Sequence, residues 1–396
     1  MGDYKKLKNP LQIHKIENGI VLPQKERSKE PFDWGFGGVC DNNNCFCDAS
    51  CYDGDWAKQG GYYDWKNEKY IDEKAVYIGY FFRHWGHLLV DLSGRYWCLS
   101  DICAKYPSIK VAYTGDEEPE GNYLRFFELL GVKKEQLIRI KEPTRFQTVL
   151  LPEQAFKPKE WYSDEFIRMF DKLYESVSSE PSRFSHLSNY KKVYFSRRSF
   201  KKAIYTEFGE EFFEGVFCDN GFVSVYPEKL SLDEQIYIWN NADEIACING
   251  SLIINSVFST KKDLKLTVLT KTSIPHENPY IFLQARGLSA EFINVYSEPF
   301  KNYPKSLGAG PFLLKKTKGF SDYCKSRQFT VKRKDRYFSN YKSYIVAVVA
   351  AKRRKKKKQH SSWPVKLIRK IRKKKLKIND GQAEIRRIKK ITGKQL

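Results

Sequence analysis

Apolar positions along the chain follow two alternating rhythms. "KAVYIGYFF" (74–82) is an unbroken apolar and aromatic run, the pattern of a strand buried on both faces. "WGHLLVDLSGRYWCLSDI" (85–102) follows, with Leu88, Leu92, Tyr96 and Leu99 at helical spacing. The alternation continues through strands at "IKVAYTGD" and "QTVLLPE" and helices at "YLRFFELLGV" and "YSDEFIRMFDKLYESV". Gly131 stops the first of these helices, and Asp164 and Glu165 suit the positive N-terminal end of the second. A polar, turn-rich stretch, "SSEPSRFSHLSN" (178–189), reads as a linker.

The same alternation restarts beyond it. Strands are expected at "KKVYFSRRS", "FVSVYPE", "EIACING" and "LKLTVLT". Helices are expected at "SLDEQIYIWNNA", opened by a capping box from Ser231 to Glu234, and at "SLIINSVFS". Residues 1–75 read instead as short strands and turns. Strand–helix units on both sides of a linker predict an α/β fold with two facing domains, 1–177 and 190–330, followed by a basic amphipathic tail, 331–396.

Charge sharpens this division. The chain of 396 residues carries a net charge of +23. Residues 352–396 hold 20 Lys and Arg against 2 Asp and Glu, so the rest of the chain is left at +5. A nucleic-acid binder would spread its basic residues over a folded face; here a nearly balanced body carries a cationic appendage. A polybasic segment with intermittent Leu and Ile suits adsorption to an anionic membrane surface. The N-terminal residues carry no apolar signal segment and no run of eighteen apolar residues occurs, so the expected location is the cytosol.

Three constellations could carry chemistry. In "RHWGHLLVDLSGRYW", helical spacing puts His87, Asp91 and Arg95 on one face, with His84 just upstream. A carboxylate beside an imidazole fixes its tautomer, which suits a general base; a solvated charge ladder is the alternative. In "VYFSRRSFKK", a strand ends in Ser196, Arg197 and Arg198, whose guanidinium forks suit phosphate or simply line a basic turn. In "CINGSLIINSVF", a strand runs through Asn249, Gly250 and Ser251 into a helix, where backbone amides can hold phosphate. Strand–Gly–helix joints are also common in α/β folds.

Together with "FVSVYPEKLSLDEQIYIWNNADEI", these blocks occur in the order and spacing of glycosyltransferase family 61, which residues 35–300 resemble. The first block is most similar to bacterial members. The resemblance implies a GT-B fold of two facing Rossmann-like domains and an inverting transferase that uses a nucleotide sugar. His87 and Asp91 match the family's His-x-x-x-Asp pair, Ser196 and Arg197 its Ser-Arg motif, and Glu234 and Gln235 its Glu-Gln pair. Gly250 and Asn255 match its last motif. The implied catalytic pair is His87 and Asp91, supported by His84 and Arg95. The implied nucleotide-sugar ligands are Arg197, Arg198, Glu234, Asn249, Gly250, Ser251 and Asn255. No metal and no cofactor are expected. The acceptor would be an oligosaccharide or lipid-linked glycan of a capsular or other surface polysaccharide, reached at the inner face of the cell membrane, with no nucleic acid as partner. Asn249 departs from the pattern, since the family usually has His there: an amide can still hydrogen-bond a phosphate or sugar hydroxyl but cannot be charged, and this is the one feature that points to the alternative of a catalytically inactive scaffold.

"GGVCDNNNCFCDASCYDGDW" (37–56) places four of the nine cysteines within twelve residues. Its C-x₄-C-x-C-x₃-C spacing lacks the C-x₂-C knuckles of common zinc sites. The expected structure is a hairpin turning at Asp41-Asn42-Asn43-Asn44, with small, partly buried thiols rather than a metal centre.

Overall fold

The computed structural model describes residues 3–354 except 29, 31, 55, 56, 301–306 and 309, and not the side chain of residue 204. Residues 1–336 form one compact unit and 337–396 a second. Among the described residues the first contains two large sheets and three small ones. Strands β1 (Ile13–Glu17), β2 (Ile20–Lys25) and β3 (Phe36–Cys40) precede the long β4 (Lys69–Tyr80), then β5 (Lys110–Thr114), β6 (Leu137–Arg139) and β7 (Thr144–Pro152). The spatial order is β3-β2-β7-β4-β5-β6, with β1 also paired to β7. From β7 to β6 the strands are parallel, while β1, β2 and β3 join antiparallel. Helices connect β4 to β5 and β5 to β6, as crossover units require, whereas residues 140–143 alone lead from β6 to β7. β4 is consistent with this: its last residues, from Ala75 to Ile78, are buried, as a strand covered on both faces must be.

The second sheet is wholly parallel: β8 (Lys192–Phe195), β9 (Val223–Val225), β10 (Glu244–Ile248), β11 (Lys265–Thr270) and β12 (Ala290–Asn294), in the order β9-β8-β10-β11-β12. The order reverses between β8 and β10. A ligand crevice opens outside the carboxyl ends of strands at such a switch point. The segments leaving those two strands are Ser196-Arg197 and Asn249-Gly250.

The expected boundary at 178–189 runs between the sheets, but the segment is more than a linker. It forms a 3₁₀ helix, Pro181–Leu187, with Phe184 stacked on Tyr237 at 4.7 Å between ring centres. One hydrophobic cluster crosses the boundary, from Trp34 and Leu99 through Phe126 and Phe170 to Trp239 and Phe282. The helices α1 (Leu99–Lys105), α2 (Asn122–Leu129), α3 (Asp164–Ser178), α4 (Glu210–Asp219), α5 (Leu232–Asn241) and α6 (Asn278–Arg286) cover the sheets. Polar pins reinforce the join. Arg125 of α2 grips Asp233 of α5 with two bonds of 2.8 and 2.9 Å, and Asn122 bonds the backbone of Leu230 and Leu232.

The expected helix over 85–102 is not one helix. A short α-turn, Trp85–His87, passes into a π-turn, Leu88–Leu92, then a 3₁₀ stretch, Ser93–Cys98, before α1. Such changes of winding are frequent at functional sites. In the second unit, residues 337–354 are helical. Among the described residues no helix is long and apolar enough to cross a membrane. The tail at 355–396, which carries most of the expected membrane-binding segment, lies outside the described residues.

Candidate active site

A cleft of about 690 Å³ lies between the carboxyl ends of the two sheets. One wall is the segment leaving β4: His84, Trp85, Gly86, His87 and Asp91. The other comprises Ser196, Arg197, Glu207, Gly250, Ser251, Lys271 and His276. The walls come close. A Cβ on Gly86 would stand 3.2 Å from the Cβ of Ser251, so any side chain there would push them apart. Trp85 donates across the gap to Asn255 at 2.8 Å.

On the first wall, His87 Nδ1 and Asp91 Oδ2 are 2.7 Å apart. The i, i+4 spacing survives the winding change. The Asp91 side chain is 1% exposed, and its other oxygen accepts the Tyr52 hydroxyl proton at 2.6 Å. A carboxylate only accepts. Its bond to Nδ1 therefore calls for the proton on Nδ1 and the lone pair on Nε2, the arrangement of a general base. The His84 ring packs 4.2 Å from that of His87. Burial, helped by the neighbouring His87 and Lys202, pushes the His84 pKa down to about 4, so it stays neutral near pH 7.

Arg95 does not complete the expected ladder. The 3₁₀ winding after Leu92 turns it into the core, where it is 1% exposed. It donates there to the carbonyls of Pro152, Ala49 and Cys51. Those last two carbonyls flank the approach to Tyr52, so Arg95 fixes the segment that presents the Tyr52 hydroxyl to Asp91. Tyr52 belongs to the cysteine-rich stretch. That stretch forms the expected turn: Asp41 N donates to Cys45 O, and Cys40 pairs antiparallel with Phe46. Its four cysteines are free thiols, and burial pushes Cys40 up to about 12. Among the described residues no group of three His, Cys, Asp or Glu is arranged to hold a metal ion.

On the second wall, Arg197 binds Glu207 with both nitrogens of its fork, at 2.8 and 3.0 Å. Lys271 binds the same carboxylate at 2.9 Å. All three are largely buried, and two cations share one anion. Beside them Glu210 accepts the Arg197 backbone N–H at 2.9 Å, and burial pushes its pKa up to about 8. Gly250 and Ser251 open the 3₁₀ helix Ser251–Phe258. Asn249 Oδ1 accepts from His276 Nδ1 at 2.7 Å.

Two expected ligands face elsewhere. Arg198, one residue beyond Arg197, turns to the opposite side and pairs with Glu214 of α4 at 2.8 Å. Glu234 closes the capping box on Ser231 and meets His186, outside the cleft. Its neighbour Gln235, about 100° further round the helix, lines the cleft instead. Tyr52, Glu207, Lys271 and His276 escape a reading by motif. Lys271 and His276 lie in the loop leaving a strand, as Arg197 does, which is the available signal; Glu207 and Tyr52 are brought in only by tertiary packing.

The family model described as Glycosyltransferase 61 matches residues 85–268, which hold most of both walls. The match supports glycosyltransferase activity. No curated protein matches the chain.

Two outcomes follow from this geometry. Tyr52→Phe removes one donor to the buried Asp91 while keeping the ring; transferase turnover is expected to fall about 10- to 100-fold, the size of one lost charge-assisted hydrogen bond, and the melting temperature to fall with it. Glu210 has its proton affinity raised on folding. Its stabilising effect is complete below its unfolded pKa and is lost as pH rises through about 8. Glu210→Gln, which cannot ionise, should therefore lose less thermal stability than wild type between pH 5 and 9 in paired melting curves.

Proposed function

We propose that the protein is an inverting glycosyltransferase that moves a sugar from a nucleotide-sugar donor to a growing surface polysaccharide, in a GT-B arrangement with the acceptor on the first sheet's side. The observation that carries this reading is the opposition, in one cleft, of the His87–Asp91–Tyr52 relay and the Arg197–Lys271 cation pair. Nε2 of His87 takes the proton of the acceptor hydroxyl. The oxygen attacks the anomeric carbon on the face away from the diphosphate. The bond from that carbon to the diphosphate oxygen breaks, and its electron pair leaves with the nucleotide. Arg197 and the amides after Gly250 meet the charge that develops there. Protein cations fill this role, so the proposed step uses no metal ion. The resemblance of the first block to bacterial members supports a capsular or related glycan as product.

Removal of the base should abolish transfer without unfolding. A general base is worth about 10²–10⁴-fold in rate. His87→Ala and Asp91→Asn are expected to lose activity on that scale, read as sugar incorporation or donor turnover with a panel of nucleotide sugars; full activity in both would remove the assignment.

The polybasic segment 352–396 supports adsorption to the inner membrane face, each Lys or Arg near an anionic surface contributing about 1 kcal/mol. The full chain should float with vesicles containing phosphatidylserine or phosphatidylglycerol, and a chain ending at 340 should not. Equal flotation of both would place the contact elsewhere.

A further inference from the structure

The loop after β11 carries Lys271, His276 and Asn278 into the cleft. It begins beyond the last residue matched by the family model. Nothing in that match gives these side chains a role.

Their placement does. A Cβ built on Gly250 would lie 3.6 Å from Arg197 Nη1 and 4.0 Å from Lys271 Nζ. Two cations thus flank one small space, kept open because residue 250 has no side chain. Lys271 is 4% exposed, and Glu207 is the carboxylate it shares with Arg197. The cluster keeps an excess positive charge out of water, which is costly until an anion arrives. His276 stands on the same wall. Its Nδ1 is 2.7 Å from the side-chain oxygen Oδ1 of Asn249, a residue itself 2% exposed. An amide oxygen only accepts, so Nδ1 carries a proton and the ring is fixed in place. The partner cannot charge, so the protonation of Nε2 responds to whatever enters the cleft. Burial, reinforced by Lys271 and Lys159, holds the ring neutral before an anion enters.

We propose that Lys271 and His276 bind the diphosphate of the donor together with Arg197, with Glu207 and Asn249 holding them in position. This rests on the nucleotide-sugar reading above. No bond is made or broken by either group; both supply charge and donors to phosphate oxygens. It also answers the departure at Asn249: the imidazole comes from the next loop, held by the amide.

The test is calorimetric titration of UDP, GDP, dTDP and CDP, their nucleosides, and inorganic pyrophosphate into wild type, His276→Ala, Lys271→Met and Asn249→Ala. For a nucleoside diphosphate that binds wild type, loss of His276 or Lys271 should weaken binding about 10- to 100-fold, the range for a bond to a charged group. Nucleoside affinity should change less than twofold. Asn249→Ala keeps the imidazole and should give a smaller loss than His276→Ala. Parallel losses with pyrophosphate would show that the phosphates alone are read. Should Lys271→Met fail to fold, His276→Ala, in a half-buried ring, decides the matter. Nucleoside diphosphate affinity within twofold of wild type in the folded variants overturns this inference and leaves the donor reading standing. If no nucleoside diphosphate binds wild type, the donor reading falls and the inference with it.

Discussion

A carboxylate shut away from water governs this site. Asp91 has both oxygens committed, one to His87 and one to Tyr52. A buried carboxylate is tolerable only with such donors. Each donor therefore becomes an obligation on the fold. Tyr52 must be delivered from the glycine- and cysteine-rich segment, and Arg95 delivers it by gripping the carbonyls of Ala49 and Cys51. Trp34 stacks on Tyr52 at 5.6 Å and meets the His87 ring edge-on at 6.3 Å. The cysteine cluster that draws the eye in the sequence is the scaffold behind the His87–Asp91 pair.

The second wall obeys a complementary rule. There a single buried carboxylate, Glu207, is outnumbered by Arg197 and Lys271. One side of the cleft carries an imidazole oriented by a carboxylate, the other an excess of cations. The parallel order of the second sheet brings this about, since the loops after β8, β10 and β11 all leave at the same end.

Much of this was legible in the chain. Strands come through because apolar runs such as "KAVYIGYFF" leave little alternative. The capping box at Ser231 and the His87–Asp91 pair depend on local spacing, and local spacing is what a sequence records. Arg95 misleads because the ladder assumes 3.6 residues per turn, and the backbone departs from that between Leu88 and Cys98. Arg198 and Glu234 mislead because adjacent residues share a motif yet face opposite ways. Tyr52 lies 39 residues from the carboxylate it serves, and Lys271 lies 64 from Glu207. No periodicity carries information across such distances.

The hydrophobic cluster that runs unbroken beneath both sheets has a consequence for how this enzyme can diversify. In an architecture of separable halves, a new donor specificity can be acquired by exchanging the nucleotide-binding module whole. Here the line of exchange would cut through Phe156 stacked on Phe282, Phe170 against Phe258, and the Arg125–Asp233 clamp. A recombinant would inherit two mismatched half-cores. Substitution of loop residues at the strand ends, by contrast, leaves that shared core intact.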